Sequence, residues 1–148
     1  MNLKYFLLSL TISIVSCAPA KINQYVKEHK IQKRDGKWVE SNSTEQGNFV
    51  SKGKYRKGIK VGVWKTSING MQFQKDAYRK DLIKTKIFHP NGKVKIKGQS
   101  KTEITDDYTH WFYSGDWKYY NEKGKLIYIK KYNRGKPSDS ISYQHKSI

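Results

Sequence analysis

The sequence contains a single cysteine, Cys17, in 148 residues. One thiol excludes an internal disulfide framework and any metal site built from several thiolates. Long apolar runs are also missing. The longest, residues 5–15, would rise about 16 Å as a helix, roughly half the hydrocarbon thickness of a bilayer. Acidic residues are scarce, with 12 Asp and Glu against 30 Lys and Arg and a net charge of +18. These absences predict one small domain that attracts anionic partners.

The first seventeen residues predict export. A short basic start, Met1-Asn2-Leu3-Lys4, precedes the apolar residues 5–15, as in a secretory signal. The segment Ile14-Val15-Ser16-Cys17 resembles the lipobox of bacterial lipoproteins. This resemblance implies a lipid on the Cys17 thiol, cleavage just before it and attachment to a membrane. The alternative is ordinary cleavage after Ala18-Pro19-Ala20, which would release a soluble protein.

The chain divides into four predicted segments. A lipoprotein signal peptide covers residues 1–16, and a lipidated N-terminus with a basic tether covers residues 17–34. A repeat domain covers residues 35–137, and a turn-like, loose tail covers residues 138–148. The alternative for the tether is a weakly amphipathic helix, for which Ile22, Tyr25, Val26 and His29 are suitably spaced. Ala18 follows the cysteine in place of an acidic residue, which favours the outer membrane of the bacterial envelope over the inner one.

The repeat has a period of about 23 residues. Glycines and a tryptophan recur at matching distances from Tyr55 and from Tyr108: Gly62 and Gly115 at seven residues, Trp64 and Trp117 at nine. A degraded copy begins at Tyr78, where Thr85 and Ile87 replace the glycine and the tryptophan. Residues 99–107 look like an inserted loop before the next unit. The pattern predicts three full units, a degenerate first one around Trp38 and a truncated last one.

Each unit reads as a β-hairpin. The dipeptides Asn69-Gly70, Asn91-Gly92, Lys123-Gly124 and Arg134-Gly135 are typical of tight turns, because glycine adopts positive φ without steric cost. Alternating or β-branched segments flank these turns. The prediction is therefore an all-β fold in which stacked antiparallel hairpins form one elongated twisted sheet. We expect Trp38, Trp64 and Trp117 to line one face, with a neighbouring aromatic ring lying across Gly62 and Gly115.

The repeat resembles the bacterial MORN-repeat variant family, whose members are known as YwqK-like antitoxin components. The best matches are residues 115–136 and residues 55–65, and the resemblance covers roughly residues 35–137. It implies a fold of stacked hairpins and no catalytic residues. An antitoxin role implies a protein partner that is neutralised. For an exported chain, that partner would also have to be exported.

Residues suited to catalysis or to cofactor binding are sparse. Four histidines, His29, His89, His110 and His145, lack a neighbouring ligand at metal-binding spacing. His110 follows Asp106-Asp107, which leaves an acid/base cluster as an alternative to a polar loop. No nucleophile, phosphate-loop or zinc-protease motif is found. The sequence therefore predicts a non-enzymatic protein without a cofactor or metal.

A binding role is the leading hypothesis. The aromatic residues interleaved with lysine either fill the packed face of the sheet or form a partner-binding face. That face would consist of Trp64, Trp111, Trp117, Tyr119, Tyr120, Tyr128 and Tyr132. The expected partners are a membrane through the lipid on Cys17, an envelope protein, or an anionic lipid or polysaccharide such as lipopolysaccharide. Nucleic acid is not expected, because only four of the basic residues are arginine.

Overall fold

The computed structural model describes residues 21–105 and 108–143. Ten antiparallel strands form one sheet in which each strand pairs with the next along the chain. The strands are β1 (Gln24–Glu28), β2 (Ile31–Thr44), β3 (Gly47–Arg56), β4 (Ile59–Ile68), β5 (Met71–Arg79), β6 (Leu82–Phe88), β7 (Val94–Ile104), β8 (Thr109–Tyr120), β9 (Leu126–Asn133) and β10 (Lys136–Ser142). The predicted all-β fold is confirmed. The described part of the chain holds no helix that could span a membrane.

The predicted turn dipeptides lie between strands. Asn69-Gly70 joins β4 to β5 and Arg134-Gly135 joins β9 to β10, and both residues of each pair have positive φ. Two-residue connections of this kind match the right-handed twist of the strands that they join. Gly92 and Gly124 also have positive φ, within the longer turns after β6 and β8.

The sheet is wider than the predicted repeat domain. Residues 24–34 were expected to form a tether or a weak helix, but β1 and the start of β2 pair with each other through the His29-Lys30 turn. Tyr25 packs edge-on against Trp38, with ring centroids 5.2 Å apart. Residues 138–142 of the expected tail lie in β10. Backbone pairing with β2 and with β9 therefore extends the sheet at both ends. Residues 1–20, which include the predicted signal peptide and Cys17, and residues 144–148 lie outside the described residues.

The predicted insertion at residues 99–107 is not a loop over most of its length. Residues Gln99–Ile104 continue β7 and pair with residues Thr109–Ser114 of β8. The segment is therefore the outer half of a long hairpin, and the connection is confined to residues 105–108. Asp106 and Asp107 lie outside the described residues. The polar residues of this segment suggested a loop. In the structure Ser100 and Thr102 lie on one face of β7 and Lys101 on the other, which a half-exposed strand allows.

Tryptophan stacked on glycine shapes the middle of each bulged hairpin. A Cβ on Gly53 would lie 2.2 Å from Cδ2 of Trp64, and a Cβ on Gly98 would lie 2.3 Å from Cδ2 of Trp117. Both indoles therefore occupy the space that a side chain on the facing strand would need. The prediction that Gly62 and Gly115 would lie under an aromatic ring is wrong. Gly62 has no neighbour at its Cβ position, and Gly115 has only the Gln99 side chain.

Gly62 and Gly115 instead make the chain bulge. Residues 62–64 of β4 oppose the single residue Gly53, and residues 115–117 of β8 oppose Gly98. Both bulge glycines have φ +66°, a conformation that glycine adopts at little cost. Each bulge delivers its tryptophan onto the facing glycine. The indole Nε1 of Trp64 then donates to the carbonyl of Lys54 at 3.1 Å, and that of Trp117 donates to Gln99 at 3.0 Å.

One row of residues crosses the sheet on this side, which we call the tryptophan face. In strand order the row reads Trp38, Gly53, Trp64, Asp76, Thr85, Gly98 and Trp117. All three tryptophans are buried, as the predicted line of tryptophans requires.

Two polar residues interrupt this line of tryptophans. The Thr85 hydroxyl donates to Asp76 Oδ1 at 2.7 Å, and the Gln74 amide donates to Oδ2 at 2.8 Å. These bonds satisfy a carboxylate that would otherwise be costly to bury. The degraded repeat thus keeps a regular, unbulged pairing of β5 with β6.

The stacking of Trp117 on Gly98 yields a test. Gly98→Ala should lower the free energy of unfolding by at least about 1–3 kcal/mol, because the added methyl displaces the indole. In a Trp117→Leu background the same substitution should cost much less, since alanine suits a strand better than glycine. Urea unfolding of the four proteins measures the coupling. Equal costs in both backgrounds would contradict the packing described here.

Candidate functional site

The two faces of the sheet differ in chemistry. Successive side chains of a strand point to opposite faces, so the residues next to the tryptophan row lie on the other side. Lys65 follows Trp64 and Lys118 follows Trp117, while Lys52 and Lys97 precede Gly53 and Gly98. We call this side the lysine face.

Six lysines form one continuous row across the lysine face, which we call the lysine ladder. Each residue of the ladder lies directly opposite the next on the adjacent strand, from β3 to β8. Its members are Lys52, Lys65, Lys75, Lys86, Lys97 and Lys118. Val39 on β2 and Ile129 on β9 end the row. Neighbouring members are about 4.8 Å apart in the backbone, the distance between adjacent strands.

The ladder brings like charges together without local compensation. Four members are exposed, and Lys75 and Lys118 are partly exposed. Within residues 21–105 and 108–143, no carboxylate forms an ion pair with any of the six. Like charges directly opposite each other destabilise a sheet. The ladder therefore costs stability in the free protein, and a bound anion would relieve that cost.

Two hollows lie along the ladder behind the stacked glycines. The first has a volume of about 680 Å³ and is lined by Lys37, Lys52, Lys54 and Arg56. The second has a volume of about 350 Å³, and its charged residues are Lys84, Lys97, Lys118 and Asp116. Each hollow forms where the bulge draws the backbone toward the tryptophan face. The first hollow gathers four cations and has no carboxylate in its lining.

The residues predicted as a partner-binding face do not form one accessible surface. Trp64 and Trp117 are buried, with 2% and 6% of their surface exposed. Trp111 is 49% exposed. Tyr119, Tyr128 and Tyr132 are partly buried on the tryptophan face.

Tyr120 lies on the opposite side from the other predicted aromatics, where Lys97 Nζ is 5.1 Å from its ring centroid. The prediction of a single aromatic binding face is therefore wrong. Trp64 and Trp117 pack against the glycines of the facing strands, Gly53 and Gly98, and are therefore not available on the surface.

A charged cluster covers the first group of rings on the tryptophan face. Tyr55 donates its hydroxyl to Glu40 Oε1 at 2.7 Å, and Arg34 donates to the same oxygen at 2.7 Å. Lys60 donates to the other carboxylate oxygen at 3.0 Å. Burial raises the pKa of the Glu40 carboxyl, but the hydrogen bonds from Tyr55 and Lys60 outweigh it and the net pKa is lowered. Glu40 is thus held ionised as a structural counterion.

The aromatic layer has a gap at the degraded repeat. A cavity of about 540 Å³ opens there, lined by Tyr78, Ile83, Ile104 and other residues near the β5–β6 turn. Burial raises the pKa of Tyr78 to about 12. Ile104 is 75% exposed at the rim. The cavity lies toward the β5–β6 turn, beside the polar pair of Asp76 and Thr85 in the tryptophan row.

The three described histidines, His29, His89 and His110, lie apart from one another. His110 is exposed and pairs across strands with Glu103, whose carboxylate is bonded by Arg134 at 2.6 Å. His89 contacts the carbonyl of Tyr120 at 2.9 Å and ties the β6–β7 turn to the end of β8. It is therefore a structural contact. The described residues include no group of His, Cys, Asp and Glu that could hold a metal ion.

The lysine ladder was missed by reasoning from the sequence. Its members are separated by 10 to 21 residues along the chain, so the ladder exists only once the strands are paired. One signal was present: lysine flanks each stacked pair of the row, in Lys52-Gly53 and Trp64-Lys65, and again in Lys97-Gly98 and Trp117-Lys118. A residue beside a buried row position points to the opposite face of its strand.

Comparison of the chain with protein-family models, with curated proteins and with solved structures finds no match. The resemblance to the MORN-repeat variant family therefore stays a prediction from the repeat spacing. The hairpin sheet itself is a property of the structure and does not depend on that assignment.

Repulsion within the ladder can be measured. Lys75→Gln removes one charge, which lies opposite those of Lys65 and Lys86, and should raise the free energy of unfolding by about 0.5 kcal/mol at low salt. The gain should shrink as salt screens the charges. Lys27→Gln is the matched control, because Lys27 pairs with Gln32. Chemical unfolding at two ionic strengths gives the comparison, and an equal change in both variants would argue against the ladder.

Proposed function

We propose that the chain is a non-enzymatic binding module of the bacterial envelope. A lipid on Cys17 holds it to a membrane, and the lysine face of its sheet binds an anionic partner. The observation that carries the binding role is the lysine ladder, which concentrates positive charge on one face of the sheet. Cys17 lies outside the described residues, so the anchor rests on the lipobox-like segment at residues 14–17.

Charge on the lysine face favours association rather than chemistry. Lysine ammonium groups in a row draw an anionic partner in and hold it, since they are flexible point charges with three donors each. General acid/base or nucleophilic chemistry needs a second group positioned against the reacting atom. In their row, the members of the ladder lie opposite one another or opposite the apolar Val39 and Ile129. A binding role uses this arrangement directly.

The two faces of the sheet have different roles in this proposal, core packing on the tryptophan face and binding on the lysine face. The tryptophan face supplies burial: Trp38, Tyr55 and Trp64 form the core, with Tyr78 packed against it. The lysine face buries Phe112 and Ile129 on β8 and β9, while its ladder positions stay exposed or partly exposed and basic. An anchor near the N-terminus would keep this face close to envelope surfaces, where lipid headgroups and surface polymers carry negative charge.

Fractionation of cells tests the anchor and the charged face together. Wild-type protein should stay with membranes through a high-salt wash and should carry acyl mass on Cys17. Cys17→Ser protein should lack the lipid, and any part that remains on membranes should leave in high salt, since only charge would hold it. Ser16→Ala keeps a small residue before the cysteine and serves as the matched control, with unchanged attachment.

Two results would count against this function. Wild-type protein that is soluble and begins at Lys21 would show ordinary cleavage and no anchor. Wild-type protein that keeps Met1 in the cytoplasm would remove the envelope role altogether.

A further inference from the structure

We propose that the lysine ladder binds a flexible linear polymer of phosphate groups laid across the strands. The inference rests on the proposed function in one respect, the use of the lysine face for an anionic partner, and it names the chemical class of that partner. The ladder offers a positive charge at each of six consecutive strands, β3 to β8. Five gaps of about 4.8 Å give it a length of roughly 24 Å.

The row favours a linear partner because its charges lie in line. On one side of it, the adjacent row of the lysine face reads Val63, Ala77, Lys84 and Gln99 at its centre, with one lysine among the four positions. Charge is therefore denser along the ladder, where every position from β3 to β8 is a lysine. A polymer with one charge per unit can meet successive lysines, whereas a single small anion would meet one or two of them.

Twist of the sheet favours a flexible chain over a flat surface. Adjacent strands rotate by about 20–25°, so five steps turn the row by roughly 100–125°. The two bulges add further twist at Gly62 and Gly115. A planar bilayer could contact only part of a row that turns this far. A flexible polymer can follow the row from Lys52 to Lys118.

A phosphate polymer without bases fits the face better than a nucleic acid does. Proteins that hold single strands stack the bases on aromatic rings or arginine planes. The ladder contains neither, and the row that runs from Lys37 and Lys54 to Lys84 and Gln99 has no aromatic residue. On the other side of the ladder, Tyr120 lies against Lys97 near the β8 end, and one ring there does not provide stacking positions along the whole row. Lysine suits phosphate oxygens as a point charge without demanding a planar partner.

The hollow behind Gly53 gives the polymer a place to begin. Lys37, Lys52, Lys54 and Arg56 converge on it, and Lys52 is also the first member of the ladder. A terminal phosphate carries more charge than an internal one, and four cations can surround it there. The second hollow, at Lys97 and Lys118, contains Asp116 and holds the chain less strongly.

Binding of linear sodium polyphosphate to the full chain carrying Cys17→Ser tests the proposal. The ladder variant is Lys65→Gln/Lys75→Gln/Lys86→Gln. The control is Lys27→Gln/Lys123→Gln/Lys136→Gln, which has the same net charge and changes three exposed lysines away from the ladder. Long-chain polyphosphate should bind more tightly than tripolyphosphate. The ladder variant should bind polyphosphate at least about tenfold more weakly than wild type. The slope of log K against log salt concentration should become shallower by about 2.

The control variant should lose less than about threefold, as expected for screened distant charges. Thermal unfolding separates binding from folding, because the ladder variant should melt at or above the wild-type temperature. Equal losses in the two variants would show diffuse attraction, which overturns the ladder as a site and leaves the proposed function intact.

Two further arms decide the partner class. The ladder variant could lose binding to phosphatidylglycerol vesicles, relative to the control variant, while the two variants bind polyphosphate equally. That result would assign the lysine face to a membrane and overturn the proposal of a polymer. Tighter binding of oligothymidylate than of polyphosphate of equal charge would assign the face to nucleic acid and would also overturn the proposal. Absence of binding to all three probes would overturn both this inference and the proposed use of the lysine face.

Discussion

The structure depends on one contact, an indole lying flat on a glycine of the neighbouring strand. A single sheet has no second layer to bury its side chains against, so its apolar residues must cover the sheet itself. Trp64 over Gly53 and Trp117 over Gly98 do this within one layer. The bulges at Gly62 and Gly115 supply the extra residues that bring each indole across. Removing the glycine or the bulge would leave the ring without a place to pack.

That contact also sets the chemistry of the opposite face. Once the tryptophan row is fixed, each flanking residue must point away from it, and six of those flanking residues are lysines. Their alignment is therefore a consequence of the same register that buries Trp38, Trp64 and Trp117. The fold accepts like-charge repulsion along the ladder because burial on the tryptophan face offsets it. Within the described residues, none of the six lysines forms an ion pair that would relieve this repulsion.

Much of the fold could be predicted from the sequence, and the site could not. Tight-turn dipeptides such as Asn69-Gly70 and the recurring Gly-x-Trp step are local signals, so they predict hairpins without knowledge of pairing. Which glycine lies under each indole depends on the facing strand, and the sequence interpretation chose Gly62 and Gly115 in place of Gly53 and Gly98. The edge strands were missed because β1 and β10 are short, exposed and polar, and are held by neighbours. The ladder depends on the pairing register of five successive strand pairs. A shift of one residue in any of them would move that strand's side chains to the other face.

Cysteine pairs measure that register directly. In a Cys17→Ser background, Lys65→Cys/Lys75→Cys and Lys75→Cys/Lys86→Cys place thiols on directly opposed ladder positions. Lys75 forms a hydrogen-bonded pair with one neighbouring strand and a non-hydrogen-bonded pair with the other. The Cα atoms are closer in the non-hydrogen-bonded pair, so one of the two cysteine pairs has the spacing that suits a disulfide. Lys75→Cys/Thr85→Cys is the control, since Thr85 lies on the tryptophan face. The account predicts rapid disulfide formation in at least one ladder pair under mild oxidation and none in the control. A control that cross-links as fast as the ladder pairs would mean that the six lysines do not share a face.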